Sequence, residues 1–268
     1  MDINIFISST FNDMHAERDC IRKYVIPRLK EALDQHKVNI QVTDLRWGVD
    51  TSTVDEKERE SKVLHVCVDA IQKTKPYFIA LLGERYGWVP SVERVKKLKS
   101  TLSSKLQTTL GDVDQAISVT EMEIQLGAIG NDNLLQHSFF CFRRYDSYEG
   151  MTDENKQYYI DKFSQDPQQQ RNGHLLDQLK NRIKTKCGQA HLNDHVIEYS
   201  AKWNSQKQTF EQLEEFGNML YNSLLDDIQQ QLFKGQKCKD IINQETDEML
   251  ISHFIAAHVE VLKAGKIL

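Results

Sequence analysis

The sequence predicts an α/β fold in which helices flank a five-stranded parallel sheet of the flavodoxin-like type. Three observations lead to this prediction. Short apolar segments alternate along the chain with longer segments whose apolar residues recur at helical spacing. The short segments are hydrophobic at consecutive positions, as strands are when both faces of a parallel sheet are covered. The 268 residues, of which 40% are hydrophobic, suffice to bury a full core.

The first two strands and the helix between them come from the N-terminal segment. INIFIS (3–8) is the first strand, and residues 39–44 of VNIQVTD are the second. The helix between them is predicted to bury Ile21, Tyr24, Val25, Leu29 and Leu33. Pro27 lies inside this helix and removes a backbone hydrogen bond, so we expect a kink or a break near Tyr24.

The third strand and an interruption follow. The polar segment TSTVDEKERES (51–61) predicts a mobile loop. The next helix is predicted to bury Val63, Val66, Cys67, Ala70 and Ile71. YFIALLG (77–83) is the third strand. The region 91–118 is polar and basic with weak helical spacing, which predicts an insertion or a mobile lid, or alternatively a solvated helical excursion.

The alternation resumes at SVTEMEIQLGAIG, a predicted helix with Ser118 or Thr120 as N-cap and Gly130 as C-cap. The remaining predicted elements are a strand, two helical segments, a fifth strand and a long amphipathic helix, at 137–144, 152–165, 173–187, 195–200 and 207–233. The last segment is helical in composition but follows the final strand–helix unit without a closing element. We therefore predict an α/β domain over 1–235 and a C-terminal helical connector over 236–268.

Composition limits which binding partners and which cellular compartment are expected. A formal charge of −5 gives no overall attraction to nucleic acid or anionic lipid, so neither nucleic acid nor a membrane is expected as a partner. Five cysteines lie far apart without a C-x-x-C pair, and the nine histidines lack metal-ligand spacing, so no metal site is expected. The N-terminus shows no secretion signal, and no segment approaches ~18 uninterrupted apolar residues. We expect a cytoplasmic protein.

Known catalytic motifs are missing from the sequence, and polar residues instead cluster at strand ends. There is no G-x-x-x-x-G-K-[ST], G-x-G-x-x-G, H-E-x-x-H or G-x-S-x-G motif, which argues against the corresponding enzyme classes. The loops after parallel strands share one edge of the sheet, where ligands bind. The candidate residues at this edge are Ser8, Ser9, Thr10, Asp44, Arg46, Trp47, Tyr86, Trp88, Glu121 and Glu123.

Each candidate also has a structural interpretation. Ser8, Ser9 and Thr10 are typical turn and helix-cap residues as well as phosphate ligands. Glu121 and Glu123 are acids in a first helical turn, where the helix dipole favours them. Among the others, Asp44 orients Arg46 or binds a ribose, Trp47 plugs the sheet edge or faces a ligand, and Tyr86 and Trp88 stack on a ring or pack a loop.

Four motifs in fixed order resemble a known family. FISSTFNDMHAERD, VTDLRWGV, ALLGERYGWVP and SVTEMEIQLGA are similar to the TIR-like domain, long classed as a domain of unknown function, at the N-terminus of many NACHT and WD40-repeat proteins. The resemblance covers roughly residues 1–235. It implies a TIR-type fold, a role in an innate-immune or antiphage protein, and cleavage of NAD at the nicotinamide–ribose bond. The connector DEMLISHFIAAHVEVLKAG similarly resembles one that leads into a NACHT ATPase.

The resemblance also implies site residues. In TIR enzymes that cleave NAD, the catalytic Glu is followed by an apolar residue and then by small residues, a pattern that EIQLGA fits with Glu123. Glu121 is the alternative. NAD is then the substrate, and no bound cofactor is expected. A carboxylate suits this chemistry because it stabilises the ribosyl cation that forms as neutral nicotinamide leaves.

Three functions remain open at this stage. The first is an NAD-cleaving effector that is activated when its parent protein oligomerises. The second is a non-catalytic module for self-association or partner docking. The third, a nucleoside-processing enzyme on a similar sheet, ranks lowest because such an enzyme does not need the C-terminal connector.

Overall fold

The centre of the protein is a parallel sheet with five strands. The computed structural model describes residues 2–10, 13–45, 56–111 and 117–234, without the side chains of 56–60. The strands are β1 (Asp2–Ser9), β2 (Asn39–Asp44), β3 (Tyr77–Leu82), β4 (Ser138–Arg143) and β5 (Val196–Tyr199). Their spatial order is β2-β1-β3-β4-β5, which is the flavodoxin-like order. The predicted α/β class and all five predicted strands are confirmed.

Helices cover the sheet and connect its strands. They are α1 (His15–Cys20), α2 (Ile26–Leu33), α3 (Glu56–Lys73), α4 (Val92–Thr101), α5 (Ser104–Leu110), α6 (Val119–Ile124), α7 (Asp132–Leu135), α8 (Asp153–Tyr159), α9 (Pro167–Gln189) and α10 (214–234). A short antiparallel hairpin of β6 (Lys202–Asn204) and β7 (Thr209–Glu211) lies between β5 and α10. Among the described helices, none combines the length and hydrophobicity that a membrane span requires.

The register of the sheet brings the predicted strand-end residues to one edge. In β1, Ile7 pairs with Asp44 of β2, and Ser8 pairs with Ala80 of β3. Gly83 follows the last residue of β3 directly. Ser8, Asp44 and Gly83 therefore lie at the carboxyl edge, as predicted from parallel pairing.

The central strands are buried along their whole length. All six residues of β3 and all six of β4 are buried. Phe6 of β1 stacks on Phe78 of β3 with ring centroids 5.6 Å apart. Continuous burial explains why these strands read as apolar segments rather than as alternating patterns.

The expected irregularity near Tyr24 is a π-helical turn. Ile21–Val25 forms this turn between α1 and α2, and Pro27, which has no N–H to donate into the helix, follows it closely. Ile21 and Val25 are buried as predicted, but Tyr24 is 38% exposed. The wider turn rotates the buried face away from Tyr24.

Two predictions about the next segments are corrected. The loop predicted over 51–61 is helical from Glu56 onward, because Glu, Lys and Arg are good helix formers. The side chains that α3 buries are Leu64, Cys67, Val68 and Ile71, whereas Val63, Val66 and Ala70 are only half-buried. The buried face is thus rotated by about one residue from the predicted one.

In its described residues, the region 91–118 is helical, as one of its two interpretations predicted, but it packs on the core and is not a solvated excursion. It contributes α4 and α5, and Val95, Leu98 and Leu110 are buried in a cluster that includes residues of α3 and α6. Three widely spaced apolar residues are enough to attach two short helices to the core. Because these residues are widely spaced among lysines, the sequence shows no clear apolar face for the two helices.

The helix predicted over 207–233 begins only at residue 214. The residues before it form the β6–β7 hairpin, in which Trp203 and Phe210 pair across the strands with ring centroids 5.2 Å apart. The Asn204 side chain accepts hydrogen bonds from the Gln206 and Lys207 backbone N–H groups, each at 3.0 Å, and so forms the turn.

The sheet belongs to a compact unit that spans Met1–Ser223. The second unit begins at Leu224, and its described residues, 224–234, are helical. The predicted boundary between 235 and 236 and the predicted connector over 236–268 lie outside the described residues.

Candidate functional site at the carboxyl edge of the sheet

A cavity of about 450 Å³ opens at the carboxyl edge of the sheet. The segments after β1 and β3 line it together with the beginnings of α6 and α9. Its polar lining residues include Ser9, Thr10, Arg85, Thr120, Glu123, Asp161, Gln168 and Asn172. Both the volume and the position are typical of small-molecule sites in α/β proteins.

Glu123 is a nearly buried carboxyl group in this cavity. Its exposed fraction is 7%, and its Oε2 accepts a hydrogen bond of 2.5 Å from the Ser8 hydroxyl at the end of β1. Burial raises the pKa of Glu123 to about 7, although hydrogen bonds from Ser8 and Cys67 and the charge of Arg18 act in the opposite direction. Near neutral pH, Glu123 is therefore present in both its protonated and its ionised form.

The start of α6 places Glu123 at the cavity. The Ser118 side chain accepts a hydrogen bond of 3.1 Å from the Glu121 backbone N–H, which confirms Ser118 as the N-cap, and Gly130 closes the π-helical turn Gln125–Ile129. Thr120 and Glu123 are three positions apart, so they share one helix face, and both line the cavity.

Glu121, the alternative catalytic candidate, lies outside the cavity lining. Its Oε2 accepts a hydrogen bond from the Tyr86 hydroxyl, and its Oε1 pairs with Arg182 of α9 and accepts from Gln125 at 3.0 Å. These contacts connect α6 to α9 and to the segment after β3. Of the two carboxylates, the structure brings only Glu123 to the cavity.

The hydroxyl groups after β1 are engaged within the protein. Ser9 accepts a hydrogen bond of 2.8 Å from Nε of Arg18, and Thr10 donates one to Asp13. Arg18 also pairs with Asp44 at the end of β2. The guanidinium of Arg18 thus ties together the ends of two neighbouring strands, while Ser9 and Thr10 remain in the cavity wall.

The two aromatic candidates after β3 differ in position. Tyr86 is 1% exposed and packs in the main core, which agrees with the packing interpretation and not with stacking on a ligand ring. Trp88 is 42% exposed and lines the cavity. Arg46 and Trp47, the remaining candidates, lie outside the described residues.

Gly87 brings the Trp88 segment close to α6. Its φ is +94°, and a Cβ there would lie 3.0 Å from Thr10 and 3.1 Å from the hydroxyl of Thr120. Both the backbone conformation and the close approach therefore require glycine. The Trp88 carbonyl then accepts a hydrogen bond of 2.9 Å from the Val119 backbone N–H at the start of α6.

Sequence reasoning missed several polar residues of the cavity, among them Arg85, Asp161 and Asn172. Asp161 is 4% exposed, and its Oδ2 accepts a hydrogen bond of 2.7 Å from the Tyr86 backbone N–H. Burial raises the pKa of Asp161. Asp161 and Asn172 come from the connection between β4 and β5, and no local motif marks them. Arg85 was visible within GERYGW but was not singled out.

A buried ion cluster was also missed. Arg143, the last residue of β4, pairs with Glu17 at 2.6 Å and lies 3.6 Å from Asp13, and all three side chains are fully buried. The Tyr148 hydroxyl accepts hydrogen bonds from Arg143, at 3.2 Å from Nε and 3.0 Å from Nη2. The cluster does not line the cavity; it holds the start of α1 against β4. In the sequence, the basic ending FRR of an otherwise apolar strand indicated this cluster.

Comparison with known proteins finds one matching family. The family described as a domain of unknown function, DUF4062, matches residues 4–225. No solved structure matches the chain significantly.

Several curated proteins contain related segments. Telomerase protein component 1 of Mus musculus is 38% identical over 89 residues, which are 33% of this chain and 3% of that protein. A TPR repeat-containing protein of Dictyostelium discoideum is 32% identical over 187 residues, 68% of this chain and 10% of that protein. NACHT and WD repeat domain-containing protein 2 of Homo sapiens is 32% identical over 118 residues, which are 40% of this chain and 7% of that protein. The chain thus spans at most a tenth of these relatives.

Proposed function

We propose that this chain, which belongs to the DUF4062 family, is a TIR-like effector domain that hydrolyses NAD at the nicotinamide–ribose bond when copies of its parent protein assemble. The single observation that carries the proposal is the nearly buried Glu123 carboxyl in a cavity at the carboxyl edge of a flavodoxin-like sheet. We further propose that the parent is a NACHT-type defence protein, because related segments occur in proteins whose names include NACHT.

The reaction needs one well-placed carboxylate. The bond between C1′ of the ribose and the nicotinamide nitrogen breaks, and its electron pair leaves with nicotinamide, which departs as a neutral molecule. Water then adds to C1′ and loses a proton, so that the products are nicotinamide, ADP-ribose and one proton. Because the leaving group is neutral, no general acid is required. The ionised Glu123 stabilises the positive charge that develops on the ribose.

The surroundings of Glu123 suit this role. The hydrogen bond from Ser8 fixes one carboxylate oxygen, so Glu123 need not reorient during the reaction. The nearly buried position of Glu123 lowers the local dielectric and strengthens attraction to a cation. The exposed ring of Trp88 offers a face on which an aromatic ring of the substrate stacks.

A second candidate is a non-catalytic module for self-association or partner docking. The observation that favours it is the exposure of aromatic side chains near the cavity. Trp88 is 42% and Tyr158 is 50% exposed, and the Tyr158 ring lies 5.4 Å from the guanidinium of the cavity residue Arg85. Aromatic residues and arginine are enriched in protein interfaces.

The test is nicotinamide release from NAD by the purified chain at high concentration, followed by chromatography. Glu123→Gln keeps the shape of the side chain but removes its charge, so activity is expected to fall at least ~100-fold, or about 2.7 kcal/mol of transition-state stabilisation. Glu121→Gln is the matched control on the same helix and is expected to lose less than about tenfold, because Glu121 lies outside the cavity lining.

Two results would overturn the enzymatic proposal. One is the absence of nicotinamide release at every protein concentration, including with a fused oligomerisation domain. The other is a Glu123→Gln variant that is as active as the wild type. The interaction module would then be the better account, and sedimentation of the chain over a range of concentrations would measure its self-association.

A further inference from the structure

Two side chains in the cavity wall carry hydrogen-bond donors without a partner among the described residues. Asn172 is 8% exposed, and its side-chain oxygen accepts a hydrogen bond of 3.4 Å from Gln168 one turn earlier in α9. Its Nδ2 donates to no partner within the described part of the chain. Because Asn172 lines the cavity, this amide can donate to an acceptor of a ligand bound there.

Arg85 supplies a second unused donor and the positive charge. Its Nη1 donates to the Tyr158 carbonyl at 2.9 Å, and its Nε lies 3.7 Å from Asp161. Its Nη2 makes no hydrogen bond to any residue that the structure describes. Of the described lining residues, Arg85 is also the only Lys or Arg.

The start of α9 contributes less than these side chains. A helix N-terminus attracts anions, but the exposed Asp166 already caps α9 by accepting a hydrogen bond of 2.8 Å from the Gln168 backbone N–H. The attraction for an anion therefore rests mainly on Arg85 and Asn172. Arginine is well suited to it, because its planar guanidinium donates to phosphate oxygens in fixed geometry.

The charges of the cavity are arranged as two poles. Glu123 supplies a carboxylate that favours a cation, and Thr120, one helical turn away, adds a buried hydroxyl with no partner among the described residues. Arg85 and Asn172 form the second pole, where the guanidinium favours an anion and the Asp161 carboxyl, 3.7 Å from Arg85 Nε, opposes it in part. Nicotinamide mononucleotide has the matching charges, since its ring is cationic and its 5′-phosphate is anionic.

We propose that Arg85 and Asn172 form a phosphate subsite, so that the substrate class is a pyridine nucleotide with a 5′-phosphate and not the corresponding nucleoside. This proposal rests on the proposed function for the identity of the ring and the ribose. It adds two specificity residues to a site in which Glu123, Ser8 and Trp88 already have proposed roles.

The test compares binding of nicotinamide mononucleotide and nicotinamide riboside, which differ only in the phosphate. Calorimetric titration of the full chain with Glu123→Gln prevents turnover. The mononucleotide is expected to bind at least ~30-fold more tightly than the riboside, about 2 kcal/mol, and Arg85→Gln is expected to reduce this ratio to less than about threefold. Asn172→Ala, which removes no charge, is expected to reduce it partly.

Arg182→Gln is the matched control, because Arg182 projects from the same helix as Asn172 and pairs with Glu121 outside the cavity lining. It is expected to leave the ratio unchanged. Equal affinity for the two ligands would overturn the phosphate subsite, as would a ratio that survives both Arg85→Gln and Asn172→Ala. A phosphate preference in a wild-type chain that releases no nicotinamide would instead overturn the proposed reaction and leave the subsite standing.

Discussion

Glu121 and Glu123 show how far the sequence determines the role of a single residue. They stand two positions apart in one helical segment, so their side chains point about 200° apart and meet different surroundings. Glu121 forms hydrogen bonds with Tyr86 and Arg182, whereas Glu123 forms one with Ser8 and lines the cavity. The family resemblance favoured Glu123 and kept Glu121 as the alternative. The local sequence does not separate them, because the separation depends on which helix face packs toward β1.

The raised pKa of Glu123 has a consequence for stability. Folding raises the pKa from 4.5 to about 7, so between these values the folded state keeps a proton that the unfolded state releases. The free energy of unfolding therefore falls as the pH rises through this window. Above pH 7 the buried, ionised carboxylate destabilises the wild-type protein, and below pH 4.5 this destabilisation is absent.

Glu123→Gln is therefore expected to stabilise the protein by up to about 3 kcal/mol at pH 8 and by less than about 1 kcal/mol at pH 5. The reason is that Gln resembles the protonated side chain at every pH. Urea unfolding at the two pH values measures the effect, with the exposed Glu93→Gln as the control. If the variant and the wild type were equally stable at pH 8, burial of the Glu123 carboxylate would not destabilise the protein.

The functional site also contains residues that no local pattern predicted. Ser8, Ser9 and Thr10 follow an obvious strand, so their place at the sheet edge followed from the strand alone. Asn172 and Asp161 reach the same edge only because the chain after β4 returns along the cavity. Their position is a property of the connection and not of the local sequence.

At the scale of elements, the sequence predicted the buried parts best. The inner strands β1, β3 and β4 were recognisable because they are largely apolar and buried, whereas the edge strands β2 and β5 mix apolar and polar residues. The β6–β7 hairpin was missed because its strands have three residues each and a polar turn, a pattern that also fits the start of an amphipathic helix. The buried face of α4 and α5 was missed because its three buried residues are widely spaced.

The π-helical turn Gln125–Ile129 offers a test of how closely helix and sheet pack. A Cβ at Gly127 in this turn would overlap the ring of Phe78, which is fixed by its stacking on Phe6. Gly127→Ala is therefore expected to destabilise the protein by about 2 kcal/mol or more, because the ring has to move within a filled core.

Gly188→Ala in α9 is the matched control. A Cβ there meets only the Asn193 side chain at 3.6 Å, which is an ordinary contact. Alanine reduces the freedom of the unfolded chain, so this variant is expected to gain up to about 1 kcal/mol. Denaturant unfolding of both variants measures the two effects. A tolerated Gly127→Ala would show that the contact between this turn and β3 is looser than the structure indicates.

At the scale of the whole molecule, the sheet and its cavity are complete within the unit Met1–Ser223. A chain that ends at residue 235 is therefore expected to unfold with the same cooperative transition as the 268-residue chain, within about 1 kcal/mol. Calorimetry of the two chains measures the difference. A loss above about 3 kcal/mol would show that residues 236–268 are an integral part of the folded domain and not a connector to a further one.

The central claim is that an ionised Glu123 drives cleavage of the nicotinamide–ribose bond. The most direct test is the pH dependence of nicotinamide release from NAD. With the pKa of Glu123 raised to about 7, the ionised fraction and hence the rate are expected to increase about tenfold between pH 6 and pH 8. A rate that is independent of pH in this range, or that falls as the pH rises, would contradict the claim.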